Sequence, residues 1–238
     1  MKGRTNSIIQ SEYDLIMGLP NIYQSIEYLE SDGESYIDTL VRSHSNMSCE
    51  LQFMFNELPH DGCVIGARHT SKEQGEGDGK SRLYFYHYFQ GHKLGYGMYL
   101  GKGIAEPDKI YNIKTRLDVG HQYMHINGTL AFEGFDDYYI DNEETYYIFA
   151  LNDCNSAAPT DKQPLDRAIK FYTKAKLYYC KIWDDANLIR YFVPVYRIED
   201  NVIGLYDLIG RQFYTNKGTG NFISGPEKDL IFSENNIV

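Results

Sequence analysis

Short apolar and aromatic runs, separated by turn-forming residues at hairpin spacing, fill most of the chain. No segment longer than about ten residues repeats its apolar positions with the period of a helix. The runs follow one another from residue 26 to residue 208, beginning with IEYLE and SYIDT and ending with LIRYFVPV and VIGLYDL. This density of short strands predicts an all-β protein in which two antiparallel sheets pack as a sandwich.

The composition agrees with one β-rich domain and argues against two classes of partner. Aromatic residues make up 15% of the 238-residue chain and include 22 tyrosines, which suit strands with one dry and one wet face. A chain of this length commonly forms a single sandwich. The formal net charge of -10 repels phosphate backbones and anionic lipid, so we expect neither nucleic acid nor a membrane as partner.

Residues 1–24 are predicted to form an N-terminal arm, and residues 25–238 the domain. The arm holds a short mixed apolar pattern that Leu19-Pro20 interrupts, and such arms dock on partners, here other subunits of an assembly. Its run at Ile8-Ile9 is too short for a signal-peptide core, and no segment approaches the length of a membrane span. The expected location is the cytoplasm of the producing cell or a particle assembled there.

Alternation shows which strand faces are buried. In the run Met47 to Phe55, every second residue from Cys49 onward is apolar, whereas Glu50 and Gln52 face the other way, so this strand is half buried. Between two alternating runs, Asn127-Gly128 supplies two residues that tolerate positive φ. A two-residue hairpin is predicted there.

Three segments are predicted to be loops or turns. Residues 68–82 and 152–167 are long, polar and rich in glycine, proline or serine, which indicates loops at the rim of the sandwich. The stretch NKGTG at residues 216–220 is no phosphate-binding loop, because its lysine precedes the glycines. We expect an exposed turn in which the asparagine and glycines tolerate positive φ and Lys217 is solvated.

Residues that commonly bind metals occur in the chain, but their spacing predicts no cofactor. His121 and His125 share a strand face, yet four residues at about 3.3 Å each separate them by roughly 13 Å, too far for one ion. An acidic cluster could bind calcium, although it lacks the spacing of an EF-hand, and a solvated loop is the alternative. The cluster consists of Asp136, Asp137, Asp141, Glu143 and Glu144. The cysteines form no C-x-x-C pair and are predicted to be free thiols on buried strand faces: Cys49, Cys63, Cys154 and Cys180.

Catalytic motifs do not match the chain, and we expect no enzyme. The E-x-D-x-x-E strand signature of glucanases, the G-x-S-x-G nucleophile elbow and the H-E-x-x-H zinc helix do not occur in the sequence. Glycoside hydrolysis needs two carboxylates that face each other across the scissile bond. Glu199 and Asp200 are adjacent in sequence and would point to opposite faces of a strand.

The strand Lys176 to Trp183 is the best candidate for a binding face. Its odd-numbered residues, Leu177 included, share one face, and because Lys181 resists burial this face should be the wetter one. The rings of Tyr179 and Trp183 would then be partly open, and flat rings beside polar groups suit sugars, whose C–H faces stack while their hydroxyls form hydrogen bonds. The alternative is that Trp183 packs in the core.

A second aromatic stripe lies in RLYFYHYF, where Tyr84, Tyr86 and Tyr88 share one face of the strand. These residues are further candidates for ligand binding. A tyrosine ladder can equally pack between the two sheets, and the sequence leaves both interpretations open.

The opening IEYLESDGESYIDT, the middle HINGTLAFEG and the long ending from YYCKIWDD to NKGTGNFISG resemble concanavalin A-like lectin/glucanase domains of the laminin-G-like kind. The resemblance covers residues 22–225, and the ending is its most specific part. Within this family, the chain resembles most specifically the versions found in phage structural proteins and in surface proteins of gut bacteria. The matching residues are Ser31, Gly33, Tyr36, Ile37, Asp38 and Thr39 in the first strand, Trp183-Asp184 at a corner, and Phe192-Val193-Pro194.

The resemblance implies a jelly roll of two antiparallel sheets and a role in carbohydrate binding or adhesion, with catalysis in some branches. The catalytic carboxylates of the glucanase branch and the metal loop of legume lectins have no match here, so neither property carries over. We therefore expect a non-enzymatic module that binds a glycan or host-surface polysaccharide as part of a phage virion, in a tail, head fibre or capsid decoration. A purely structural decoration or interface protein is the first alternative, and a glycoside hydrolase is the second.

Overall fold

The computed structural model describes residues 18–44, 46–58, 61–70, 79–88, 91–96, 106–118, 121–135, 144–155 and 166–228, which form 18 strands and no helix. The first nine strands are β1 (Tyr23–Ser25), β2 (Leu29–Ser31), β3 (Ile37–Arg42), β4 (Met47–Phe55), β5 (Asp61–Thr70), β6 (Gly79–Tyr88), β7 (Gly91–Tyr96), β8 (Ile110–Asp118) and β9 (His121–Ile126). The second nine are β10 (Thr129–Phe135), β11 (Thr145–Ile148), β12 (Leu151–Asn155), β13 (Asp166–Lys170), β14 (Ala175–Asp184), β15 (Asn187–Arg197), β16 (Ile203–Asp207), β17 (Gln212–Thr215) and β18 (Phe222–Ser224).

These strands form two sheets. The larger sheet has 11 strands in the order β10-β9-β8-β4-β14-β15-β16-β17, with β1 paired to β15, β2 paired to β14, and β18 paired to β2. The smaller sheet has 7 strands in the order β13-β12-β5-β11-β3, and β6 and β7 extend it from β5. Among the described pairs only β12 and β5 run parallel. The predicted all-β jelly-roll sandwich is confirmed.

The core lies between the two sheets, and β4 shows how the sequence builds it. Every second residue of β4, from Met47 to Phe55, is buried, and the residues between them are half-buried. Phe53 and Phe55 are fully buried and meet edge to face, with their ring centroids 5.1 Å apart. Burying one such ring contributes about 1.5–3 kcal/mol. The alternation predicted for this strand is confirmed.

The hairpin between β9 and β10 also follows its sequence. Asn127 has φ 51° and Gly128 has φ 81°, so both turn residues have the positive φ of a two-residue hairpin. The backbone N–H of Asn127 donates to the carbonyl of Asn112 at 2.8 Å, and the Asn127 side-chain oxygen accepts from the Asn112 N–H at 2.8 Å. The predicted turn is confirmed.

The two predicted rim loops are shorter than expected. Residues 68–70 continue β5 and residues 79–82 belong to β6, while β12 and β13 take up the ends of the second segment; residues 71–78 and 156–165 lie outside the described structure. Polar residues can belong to these strands because they form ion pairs and hydrogen bonds with residues of neighbouring strands. Arg68 and the buried Asp153 lie opposite each other on β5 and β12, and the Arg68 Nη2 donates to Asp153 Oδ2 at 2.6 Å.

The NKGTG turn packs against the motif at residues 31–36. We call the two segments together, residues 31–36 and residues 216–221, the clasp. The Lys217 N–H donates to the Tyr36 carbonyl at 3.0 Å, and the Gly220 N–H donates to the Glu34 carbonyl at 3.2 Å. The expectation of positive φ here is wrong, because neither Gly218 nor Gly220 has it. Glycine is needed for close approach instead: a Cβ at Gly218 would overlap the Glu34 carbonyl oxygen.

Asp32 joins the two halves of the clasp. Its carboxylate accepts hydrogen bonds from the Asn221 N–H at 2.6 Å, the Ser35 hydroxyl at 2.7 Å and the Glu34 N–H at 2.9 Å. Burial alone would raise the pKa of Asp32, but these bonds outweigh it and hold the pKa below its usual value of 3.8. The clasp therefore stabilises the fold at neutral pH, and this contribution is lost as the pH falls through the lowered pKa.

Replacing Gly218 by alanine should destabilise the protein by about 2–4 kcal/mol, because the added Cβ forces the clasp apart. The matched control is Lys217→Ala, which removes an exposed side chain from the same turn and keeps its backbone hydrogen bond; it should change stability by less than about 0.5 kcal/mol. Urea unfolding followed by circular dichroism measures both. Equal effects of the two substitutions would show that the clasp contacts do not stabilise the fold.

Three cysteines with described side chains, Cys49, Cys63 and Cys180, are buried thiols outside any disulfide, as predicted. The side chain of Cys154 lies outside the described structure. Burial raises the pKa of Cys49 to about 12. Burial and the neighbouring Cys49 raise the pKa of Cys180 well above its usual value. The thiolate, which is the reactive form, is therefore disfavoured at both positions.

Cys49 and Cys180 should resist iodoacetamide at pH 8 in the folded protein and react within minutes once urea unfolds it. Peptide mass mapping after timed labelling measures the modification at each cysteine. Labelling of Cys49 in native buffer at the rate seen in urea would contradict the burial of this thiol.

Candidate functional site

The outer face of β14, on the far side of the larger sheet from the core, carries three of the predicted site residues. Tyr179, Lys181 and Trp183 are half-buried and point outward, whereas Cys180 and Ile182 are fully buried. The prediction that this is the wetter face is confirmed. Trp183 lies outside the core cluster and at the edge of a surface pocket.

The face assignment is wrong for Leu177, which is fully buried in the core. Its partner on β4 is Phe53, while Tyr179 lies opposite Gln52, the next residue in register, so Tyr178 is an extra residue in β14. Such a β-bulge reverses the faces on its two sides. Because of it, the outward stripe begins at Tyr179 rather than at Leu177.

Trp183 lines a pocket of about 200 Å³ on this outer face. The pocket spans β14, β4, β8 and β9, because Ser48 lies opposite both Trp183 and Arg116, and Arg116 lies opposite Tyr123. The lining residues are Ser48, Cys49, Lys114, Thr115, Tyr123, Trp183, Asp185 and Ala186. The lining of this small cavity therefore includes two aromatic residues, a serine, a threonine, a lysine and an aspartate.

A tight turn forms one wall of the pocket. Asp185 and Ala186 join β14 to β15, and Asp185 has φ 51°, which folds the chain back directly after Trp183. The Asp185 N–H donates to the Asn46 carbonyl at 3.2 Å, so the turn is tied to the residue before β4. This anchoring keeps an exposed carboxylate beside the tryptophan ring.

Glu50 organises the polar part of the face next to the pocket. Its Oε1 accepts a hydrogen bond from the Tyr179 hydroxyl at 3.3 Å, and its Oε2 lies 3.6 Å from the Nζ of Lys114. The Lys114 side chain remains 61% exposed, so it can still turn toward a ligand in the pocket. An exposed ion pair of this kind contributes little to stability, which leaves Lys114 free to serve binding.

Lys181 lies between two tyrosine rings. Its Nζ is 5.4 Å from the centroid of Tyr179 and 4.6 Å from that of Tyr191 on the neighbouring strand. Cation–π attraction at such distances contributes about 0.5–1 kcal/mol at an exposed site. Lys181 therefore helps to orient the rings of Tyr179 and Tyr191 on this face.

The other predicted site residues are not brought to this pocket. Tyr84, Tyr86 and Tyr88 lie on β6 of the smaller sheet, and their side chains lie outside the described structure, so their role stays a prediction. Glu144, the described member of the acidic cluster, is buried; the other members lie outside the described residues. Among the described residues no group of three histidine, cysteine or acidic side chains could hold a metal ion.

Sequence reasoning did not find Ser48, Lys114, Tyr123 or Asp185. The alternation of apolar and polar residues in β4 and β8 marks Ser48 and Lys114 as outward-facing, but it does not show which strands are neighbours in the sheet. Only the order β14-β4-β8-β9 brings them beside Trp183. The Asn127-Gly128 turn signal predicts the pairing of β9 with β10, because these strands are adjacent in sequence. The pairing of β4 with β14 links residues more than a hundred positions apart and has no such local signal.

The chain is similar to several solved structures. A Bacteroides ovatus protein to which carbohydrate binding is attributed has a TM-score of 0.51 and 13% identity over 87% of this chain. The match covers 62% of that protein, so this chain spans less than two thirds of its length. A heptameric SAP-like pentraxin from Limulus polyphemus has a TM-score of 0.47 and 9% identity over 87% of this chain and 97% of its own. The carbohydrate-binding module CBM66 from Bacillus subtilis has a TM-score of 0.29 and 15% identity over 50% of this chain and 75% of its own.

At 13% identity the likeness to the Bacteroides protein shows the fold and nothing about a ligand. It agrees with the jelly-roll fold that the sequence resemblance implies. No protein-family model matches the chain, and no curated protein matches it. Among the described residues there is no helix of the length and apolarity that crossing a membrane requires.

Proposed function

We propose that the protein is a carbohydrate-binding module whose ligand occupies the pocket at Trp183. The observation that supports this most directly is the position of the chain's one tryptophan, half-buried at the edge of an open pocket and surrounded by hydrogen-bonding groups. A sugar ring stacks its C–H face on such a ring, while its hydroxyls bond to Ser48, Lys114 and Asp185.

The size of the pocket sets the size of the ligand it holds. A volume of about 200 Å³ is below the roughly 300–1,000 Å³ of sites for drug-sized molecules, so one sugar residue fits, as the end or a branch of a longer glycan. The half-buried Tyr179 continues the face along the larger sheet. It provides further stacking surface for the next sugar of a chain.

We propose binding without catalysis and without a resident metal or cofactor. Hydrolysis of a glycosidic bond requires two carboxylates about 5–9.5 Å apart across the substrate. Among the described residues that line the pocket, Asp185 is the one carboxylate, and Glu50 is held by Tyr179 and Lys114 on the face beside it. The described lining therefore holds one carboxylate, whereas hydrolysis of a glycosidic bond requires two.

We propose further that the module belongs to a phage virion, in a tail, head fibre or capsid decoration, and binds host-surface polysaccharide. Support comes from the sequence resemblance to phage structural proteins, whose most specific part is the ending of the chain from YYCKIWDD to NKGTGNFISG. Residues 1–24 would attach the module to other virion subunits. In the alternative role, as a structural decoration or interface protein, the same fold binds no sugar, and a cytoplasmic location is then equally compatible.

A glycan array that includes bacterial surface polysaccharides, followed by titration of the best ligand with Trp183 fluorescence, tests the proposed site. Trp183→Ala should weaken binding about tenfold, or about 1.4 kcal/mol, because the stacking ring is lost. Lys114→Ala should weaken it about three- to tenfold. Binding by these two variants is measured by calorimetry, since the first removes the fluorophore.

Matched controls separate the pocket from general effects. Tyr172→Ala removes a half-buried tyrosine that packs against Tyr36 and does not line the pocket, and Lys109→Ala removes an exposed lysine just before β8. Both variants should bind like the wild type. Failure of the wild type to bind any glycan would contradict sugar binding and favour the structural role. Release of new reducing ends from the bound glycan would contradict the non-enzymatic assignment.

A further inference from the structure

The β-bulge in β14 brings a further tyrosine to the outer face of the larger sheet, toward the opposite end of the strand from the Trp183 pocket. Tyr178 is the extra residue of the bulge and precedes Tyr179. Both tyrosines are half-buried, whereas the residues on either side of them, Leu177 and Cys180, are fully buried. A regular strand would send two consecutive side chains to opposite faces, but the bulge leaves both tyrosines outside the core.

Tyr28 provides a second ring beside Tyr178. Strand β2 begins directly after Tyr28 and pairs with β14, where Leu29 lies opposite Leu177, so Tyr28 follows the same register to Tyr178. The two rings meet edge to face, with their centroids 5.9 Å apart. The Nζ of Lys176 lies 4.5 Å from the centroid of Tyr28 and helps to hold this ring in place. We call Tyr28 and Tyr178 the second aromatic pair.

Hydrogen-bonding groups border the second aromatic pair, as they border the tryptophan in the pocket. The Nζ of Lys176 lies 3.8 Å from one carboxylate oxygen of Glu30, and the Asn56 Nδ2 donates to the other oxygen at 2.6 Å. The Asn56 Oδ1 is buried and accepts no hydrogen bond from the described residues. An acceptor without a partner is costly, and a sugar hydroxyl or a bridging water at the pair would supply the missing donor.

The outer face between the pocket and the second aromatic pair carries amide, hydroxyl and carboxylate groups. The Gln52 Nε2 donates to the Asn112 Oδ1 at 2.8 Å on the exposed side of β4 and β8, and Gln52 lies opposite Tyr179. The Tyr179 hydroxyl in turn donates to Glu50 at 3.3 Å. The tryptophan of the pocket lies five residues along β14 from Tyr178, which at about 3.3 Å per residue is roughly 16 Å. A ligand that contacts both ends is therefore a chain of sugars and not a single ring.

We propose that the second aromatic pair is a second sugar-binding subsite, and that the ligand is a linear oligosaccharide that leaves the pocket and follows the outer face of β14 to Tyr28 and Tyr178. This inference rests on the proposed function and names its ligand class, a linear polysaccharide whose terminal or branch sugar enters the pocket. A sugar stacks its C–H face on a tyrosine ring, and its hydroxyls bond to Lys176 and Glu30. The mixture favours a sugar over an apolar peptide, because a charged or amide group lies beside each ring.

Calorimetry with oligosaccharides of increasing length tests the subsite in the full-length chain. The probes are the single sugar and the size-separated products of partial hydrolysis of the polysaccharide that binds best on the array. Wild-type affinity should rise about tenfold once the oligosaccharide is long enough to reach the second aromatic pair, because a further ring is stacked. Tyr178→Ala and Tyr28→Ala should each remove this gain and leave binding of the single sugar unchanged. Trp183→Ala should weaken binding at every length.

Tyr172→Ala is the matched control for the loss of a ring. Tyr172 is half-buried and meets Tyr36 edge to face with centroids 6.2 Å apart, much as Tyr178 meets Tyr28, but it lies outside β14. This variant should keep the full dependence of affinity on length. Thermal unfolding of each variant shows whether a loss of binding comes from a loss of fold.

A second measurement keeps an aromatic ring at both ends of the face. Tyr28→Trp in a Trp183→Phe background moves the one indole of the chain to the second subsite. Its fluorescence should change when the long oligosaccharide binds and stay constant with the single sugar. Constant fluorescence with both probes, a wild-type affinity that does not depend on length, or an equal loss for both probes in Tyr178→Ala would overturn the second subsite and leave the pocket in place. A wild type that binds no probe would contradict the proposed function and the subsite together.

Discussion

The pairing of β14 with β4 at the centre of the larger sheet decides where the other features lie. β4 alternates strictly between buried and half-buried residues, and β14 follows it in register from Ala175 opposite Phe55 to Asp184 opposite Met47. The extra residue at Tyr178 shifts this register by one. On one side of the bulge Leu177 enters the core, and on the other side Tyr179, Lys181 and Trp183 turn outward. A continuous strand without the bulge would bury either Leu177 or Trp183 but could not place them on opposite faces.

Local patterns in the sequence predict local structure well in this chain. The alternation of β4, the Asn127-Gly128 turn and the outward position of Lys181 all follow from the nature of neighbouring residues. The pocket could not be derived in this way, because its walls come from four strands whose order is set by packing across the whole sheet. Trp183 was recognised as a candidate, whereas Ser48 and Asp185 carry no signal of their own. Their chemistry becomes relevant only through the neighbours that the sheet gives them.

The role of the glycines in the clasp could not be predicted from local sequence patterns either. Its glycines suggest turns with positive φ, which is the usual reason for glycine in a short loop. The actual reason lies nearly two hundred residues away, where the carbonyl of Glu34 and the carboxylate of Asp32 occupy the space that a side chain at Gly218 or Gly220 would need. The motif near the start of the chain and the motif near its end are thus two halves of one contact. This explains why both are specific to the fold and say nothing about a ligand.

The outer face of the larger sheet is divided between a polar half at the pocket and an aromatic half where Tyr23 packs against Tyr206 and Phe213. Tyr191 joins the halves, because it belongs to the aromatic cluster and its ring also carries the ammonium group of Lys181. Tyr23 packs against Tyr206 and Phe213, while the pocket at Trp183 is lined by residues of β14, β4, β8 and β9 and by the turn at Asp185. The N-terminal segment therefore covers the aromatic half of the face and leaves the polar half accessible to a ligand.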